Sequence, residues 1–112
     1  MPKHLVLAAL ILTMTLNTTV EYQNYARKLV SYKEFPCLVE LWRKESNWRP
    51  EAKSPTNDYG IPQRNMPKHS KAEIKAFRSN WAKQIEWGVG YIRHRYGTAC
   101  QALAHHKQKN WY

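Results

Sequence analysis

Between Pro50 and Pro67, eighteen positions, the chain carries Pro50, Pro55, Asn57, Asp58, Gly60, Pro62 and Pro67, all turn-forming or helix-breaking. Proline removes an amide donor and clashes with the preceding helical turn, while Asn, Asp and Gly favour turns, so no regular helix crosses this stretch. The segment is expected to be turns and extended loop, and loops held by a rigid scaffold commonly carry functional contacts. Regular structure must lie on its flanks, where the period is helical and no strand pattern of any length occurs.

On the N-terminal flank, Cys37 to Trp48 reads CLVELWRKESNW. Leu38, Leu41, Trp42 and Glu45 fall at i, i+3, i+4 and i+7, so the carboxylate of Glu45 continues the stripe that faces the core, with Glu40, Arg43 and Lys44 on the wet face. A carboxylate ending an apolar stripe needs a partner, a raised pKa or an open cleft above it, which is what a general acid requires. The alternative is a helix that ends near Ser46 and lets Glu45 fray into solvent. Ahead of it, Tyr22, Tyr25, Ala26, Leu29 and Val30 recur at helical spacing between Glu21 and about Lys33, an amphipathic helix packed on one side. Pro36 is placed to open the Cys37 helix at its first turn.

On the C-terminal flank, Ser70 and Glu73 have capping-box spacing, which predicts a short helix to about Arg78. Asn80 caps a longer one from Trp81 to Tyr96, with Trp81, Ile85, Val89, Ile92 and Tyr96 on one face and Gly97 as its stop. Gly88 and Gly90 each cost that helix about 1 kcal/mol against Ala, which suggests close approach of another backbone or of a ligand. Thr98 caps a last short helix through Leu103, followed by a polar tail. The expectation is one small all-α domain over residues 21–112, its core supplied largely by five Trp and seven Tyr.

Residues 1–20 begin basic and continue with an apolar run from Leu5 to Leu16 that has the length of a signal-peptide core. No small-x-small cleavage site follows, so an uncleaved membrane anchor is the other reading, and either implies a secreted or periplasmic protein. In an exported chain Cys37 and Cys100 are expected to be bridged; two free buried thiols are the alternative if the N-terminus does not direct export. Cys37 has no second ligand at short spacing, and His105 and His106 are adjacent rather than three or four apart, so no metal site is expected. The net charge of +10 implies an anionic partner: nucleic acid, a membrane surface or an acidic polymer such as a cell wall. The basic residues are spread rather than clustered and no recognised motif accompanies them, which argues against nucleic acid.

The order LWRKESNW, DYGIPQ, QIEWGVGYIRHRYGTACQA and a closing WY resembles the soluble lytic transglycosylase and goose-type lysozyme family. The likeness is closest to short secreted forms with LW-x-x-ES-x-W, AYGIPQ, QI-x-WG-x-GYI-x-x-RYG and GWY, and it covers Pro36 to Tyr112. The resemblance implies a lysozyme-like helical domain with a glycan groove, working without a cofactor, expected to be a monomer, and cutting the β-1,4 bond between N-acetylmuramic acid and N-acetylglucosamine in peptidoglycan. Glu45 takes the place of the family's catalytic acid. In lytic transglycosylases one glutamate protonates the glycosidic oxygen and then helps the muramyl 6-hydroxyl close onto the anomeric carbon, leaving a 1,6-anhydro end. By the same carry-over Ser46 and Gln63 line the groove, Tyr59 with Gly60, Ile61 and Pro62 shapes its floor, and Tyr91 faces the carboxylate. His105 and Trp111 are further groove candidates, whereas Trp42 and Trp87 are expected in the core, and Trp48 could be either.

Asp58 is the departure of interest, because the short forms usually carry a small residue there. A two-carboxylate glycosidase needs its second group within about 5 to 10 Å. Either Asp58 reaches the cleft and permits a hydrolytic, lysozyme-like outcome, or Asn57-Asp58 simply forms a turn. A non-catalytic wall-binding domain of the same fold is the reading from another class, and retention of Glu45 argues against it.

Overall fold

The computed structural model describes residues 18–112. The leader or anchor expected over residues 1–20 lies almost wholly outside them, and among the described residues no helix is long and apolar enough to cross a membrane. A first helix, α1, occupies residues 18–27, spanning the boundary expected after residue 20 and ending before Lys33. Tyr22 and Ala26 are its buried residues. Helix α2 (Phe35–Ser46) opens with proline in its first turn, buries Leu38, Leu41, Trp42 and Ser46, and stops at Asn47 in the left-handed conformation.

The punctuated stretch is loop, but it folds back on itself into a small hairpin, β1 (Asp58–Tyr59) against β2 (Arg64–Asn65), with Asp58 opposite Asn65. Two-residue strands are too short to show alternation, so no sequence pattern announces them. Backbone bonds from Gly60 N–H to Ala52 O (2.8 Å) and from Met66 N–H to Asn57 O (2.9 Å) hold the turns. Helix α3 (Lys71–Arg78) starts with the full Ser70/Glu73 capping box. Helix α4 (Trp81–Arg95) is capped by the Asn80 side chain and followed by Gly97 at φ 89°. Helix α5 (Ala99–Lys109) has a Thr98/Gln101 capping box and runs six residues beyond the Leu103 expected as its end. Nothing between Leu103 and Lys109 breaks a helix, and Asn110 at φ 64° terminates it. The architecture is all-α apart from the hairpin, as the sequence predicts, and Cys37 and Cys100 are bonded (S–S 2.03 Å).

Leu38, Leu41, Trp42, Ile61 and Ile85 are fully buried where α2, α4 and the loop meet. A smaller cluster of Tyr59, Met66 and Phe77 sits between the hairpin and α3. The loop is held by Gln84 of α4, a fully buried polar side chain. Its Oε1 accepts from Ile61 N–H (2.8 Å), and its Nε2 donates to Phe77 O (2.8 Å) and Pro50 O (3.1 Å).

The two glycines of α4 differ. A Cβ on Gly88 would lie 2.5 Å from Trp42 Cζ2 and 2.8 Å from Pro62 Cβ, a close approach made by side chains rather than by another backbone, whereas a Cβ on Gly90 would meet no protein atom within 4 Å. Gly88→Ala is therefore expected to destabilise by about 1 to 2 kcal/mol, overpacking outweighing the gain in helix propensity, and Gly90→Ala to stabilise by about 0.5 to 1 kcal/mol. Urea unfolding of the two variants checks the opposite signs.

Candidate active site

The disulfide joins the first turns of α2 and α5, and Glu34 Oε1 accepts from Ala99 N–H at 3.0 Å beside it. The two helices therefore run parallel and bring their last turns together. There the side chain of Glu45 meets that of His106, Oε1 to Nε2 at 2.8 Å, with side-chain exposures of 16% and 13%. Glu45 does not fray. Removal from water, and then the negative charge of Asp58, push its pKa from an ordinary 4.5 up to about 7. Burial, then the positive charge of Lys44, then His105, push His106 below its ordinary 6.5. Each partner thus resists ionisation, and below about pH 7 a protonated carboxyl faces an imidazole biased toward its neutral form, two groups sharing one titration system.

Above the carboxyl opens a cleft of about 370 Å³ lined by Glu45, Asp58, Gln63, Trp111 and Tyr112, among others. A smaller cavity of about 160 Å³ shares Asp58, Gln63 and Tyr112 with it and is walled by Trp87 and Tyr91. Together they make a groove over the end of the carboxylate stripe. Another surface cavity, about 450 Å³, lies around Tyr59 and α3 and is not lined by Glu45.

Asp58 does both things left open by the sequence. Asn57 takes a left-handed turn conformation (φ 63°), and Asp58 faces the groove. Its carboxylate is already occupied, accepting from Ser54 Oγ (2.5 Å), Thr56 Oγ1 (2.6 Å) and Asn65 Nδ2 (3.0 Å). Gln63 lines both cavities in a left-handed conformation (φ 55°), its Nε2 donating to Gly60 O at 3.1 Å. Tyr91 stacks on Trp87 (5.1 Å between centroids) and meets Tyr112 edge-on at 5.6 Å. Trp87, expected in the core, is half-buried: it packs on the smaller cluster, edge-on to Phe77, and stacks on Tyr91, where it walls the groove. Trp48 is core, 3% exposed, its indole N–H donating to Val39 O.

Ser46 and Tyr59 sit behind the groove rather than on it. Ser46 is 4% exposed and its hydroxyl donates to Ile61 O at 2.7 Å, so it fixes the loop beneath the carboxylate. Tyr59 is 6% exposed, and alternation along the strand sends it to the face opposite Asp58, among Met66 and Phe77. His105 reaches the groove only through Trp111, holding its carbonyl at 2.9 Å and its ring edge-on at 4.5 Å, while Trp111 itself is 50% exposed at the cleft.

Sequence reasoning missed His106 and Tyr112. His106 falls at i+3, i+4 and i+7 from Leu103, Ala102 and Ala99, the buried residues of α5, so the stripe could have placed it inward had the helix been carried past Leu103. Tyr112 donates to Pro62 O (2.7 Å) and accepts from the Trp42 indole N–H (2.9 Å), and burial raises its phenol well above the ordinary value. No periodicity reports a contact made by an irregular segment.

No curated protein and no solved structure matches the chain. The transglycosylase SLT domain matches it over residues 22–107, from the buried face of α1 to one residue past His106. The chain belongs to the transglycosylase SLT domain family, which is of the lytic transglycosylase type and acts on peptidoglycan.

Proposed function

We propose that this protein is a lytic transglycosylase in which Glu45 is the sole proton donor and acceptor at the β-1,4 bond between N-acetylmuramic acid and N-acetylglucosamine. The observation that carries the proposal is a carboxyl held near pKa 7 at the floor of a groove whose other carboxylate is bound by three donors. Protonated Glu45 gives its proton to the glycosidic oxygen as the bond from that oxygen to the anomeric carbon breaks. The carboxylate so formed takes the proton of the muramyl 6-hydroxyl as O6 bonds to the anomeric carbon. The products are a free 4-hydroxyl and a 1,6-anhydro end, no water is consumed, and Glu45 regains its proton.

Burial, and then the negative charge of Asp58, favour the protonated form of Glu45 at rest, and the Asp58 charge offsets positive charge developing at the anomeric carbon. Gln63, Tyr91 and Trp111 supply the groove contacts, Gln63 Oε1 as an acceptor and the rings as sugar platforms. Ser46 and His105 contribute indirectly, through the loop and through Trp111. Residues 1–20 act as a leader or anchor and residues 21–112 as a monomeric catalytic domain outside the cytoplasm, where the disulfide forms and the +10 charge favours an anionic wall. Hydrolysis to a reducing end is the second reading, favoured by Asp58 lining the cleft.

Glu45→Gln keeps the shape and cannot move a proton, so turnover on purified peptidoglycan is expected to fall by at least ~100-fold. Asp58→Asn is expected to cost much less. Mass spectrometry of the released fragments gives the product: anhydro-muramyl ends support the proposal, and near-wild-type turnover in Glu45→Gln removes it. Reducing ends together with equal losses in both variants move the assignment to hydrolysis by a carboxylate pair.

The same carboxyl predicts a stability signature. Between pH 4.5 and about 7 folded Glu45 retains a proton that the unfolded chain has released, so its contribution to stability falls as pH rises through that window, by about 3 kcal/mol in all. His106, pushed down, has the opposite sign: folded imidazole is neutral where the unfolded one is charged, so its share rises with pH up to its ordinary value of 6.5. Subtracting wild type from Glu45→Gln removes the terms of groups that do not touch Glu45 and leaves that of the Glu45–His106 pair, in which Glu45 has the upward shift. The stability gained by the variant is expected to grow from pH 4.5 to about 7 and then level off, as followed by thermal melts across that range.

A further inference from the structure

We propose that His106 is the positioning residue of Glu45: its Nε2–H donates to Oε1, which commits Oε2 to giving and then taking the proton in the cleft, and its protonation shuts the reaction off at low pH. The inference rests on the reading of Glu45 as the acid. A glutamate side chain near the end of a helix has free rotation about three bonds, and only one of its orientations delivers a proton to a bound glycosidic oxygen. His106 approaches from a different helix, so the 2.8 Å contact depends on tertiary structure rather than on α2 alone. That second helix is fixed at both ends, by the disulfide, Glu34 and the Thr98/Gln101 box at its start and by Asn110 at its stop. If Oε1 instead carried the proton and gave it to His106, the acid would be turned away from the groove.

Burial first, and then the surrounding charges, explain why the arrangement works near neutrality. Lys44 on α2 and His105 on α5 oppose an imidazolium at His106, and Asp58 on the hairpin opposes a carboxylate at Glu45; the buried phenol of Tyr112 is neutral. When acid protonates His106, two things change. The imidazolium stabilises the carboxylate left by the first proton transfer and makes it a weaker base toward the 6-hydroxyl, and it sets a positive charge beside an anomeric carbon that is itself becoming positive. Activity therefore falls on the acid side as His106 titrates and on the basic side as Glu45 does, the two apparent values belonging to the pair.

The test is the pH profile of turnover on purified peptidoglycan for the wild type, His106→Gln and His106→Leu, using the full chain. Gln places an amide N–H where the imidazole Nε2–H stands but does not titrate; Leu fills the space and offers no donor. His106→Leu is expected to lose about 10- to 100-fold at neutral pH, and His106→Gln to recover at least about 10-fold of that loss. His106→Gln is also expected to hold its plateau rate to lower pH than the wild type. An acid limb in His106→Gln that overlays the wild type overturns the proposal, and this arm stands even if His106→Leu fails to fold. Wild-type turnover and pH profile in a folded His106→Leu overturns it equally. An inactive Glu45→Gln with an unmoved acid limb in His106→Gln sinks this inference and leaves the catalytic assignment standing; an active Glu45→Gln sinks that assignment first.

Discussion

One buried amide, that of Gln84, decides whether the irregular half of this molecule has a shape. A loop with so many prolines and turns cannot satisfy its backbone groups through regular structure, and unpaired groups in a core cost about 1 to 3 kcal/mol each. Gln84 answers with both ends of its side chain, taking the Ile61 N–H and supplying the Pro50 and Phe77 carbonyls from within α4. The chain accommodates it by leaving no side chain at Gly60, where a Cβ would stand 2.5 Å from the Gln84 oxygen. Ile61 and Pro62 are then fixed, Ser46 and Tyr112 bond to their carbonyls, and the groove floor follows.

What could be read beforehand divides along physical lines. Helical stripes, capping boxes and the paired cysteines are local or periodic, and they predicted α2, α3 and α4, the start of α5 and the disulfide. The carboxylate of Glu45 was legible as an anomaly in a stripe. Its environment was not, because the burial that raises its pKa is tertiary, and the groups beside it, Asp58 and His106, come from a hairpin and from the far end of another helix. Trp87 and Tyr59 show the same limit from the other side. An aromatic residue is large enough to be core in either direction, and only the position of its neighbours says whether it walls a groove or fills a cluster.

The groove differs electrostatically from the molecule that carries it. A protein of net charge +10 places in this groove two acidic side chains, one pushed toward its neutral form and one tied by hydroxyl and amide donors, beside a histidine pushed toward its neutral form by burial and then by the charges of Lys44 and His105. Long-range attraction to an anionic polymer and a proton-rich reaction centre are thereby kept apart in space. The surface charge acts over the Debye length of about 10 Å, whereas the site acts through contacts of hydrogen-bond length.

The parallel course of α2 and α5 gives the Cys37–Cys100 bond a geometric meaning. Glu45 stands eight residues along α2 from Cys37, about 12 Å at the rise of an α-helix. Over such an arm, a splay of about 5° between the helices would separate their far ends by about 1 Å, a displacement that can cost a catalytic arrangement about 100-fold. The covalent bond is thus a hinge pin. By fixing where the two arms meet, it leaves their relative orientation, the opening angle included, for core packing to control.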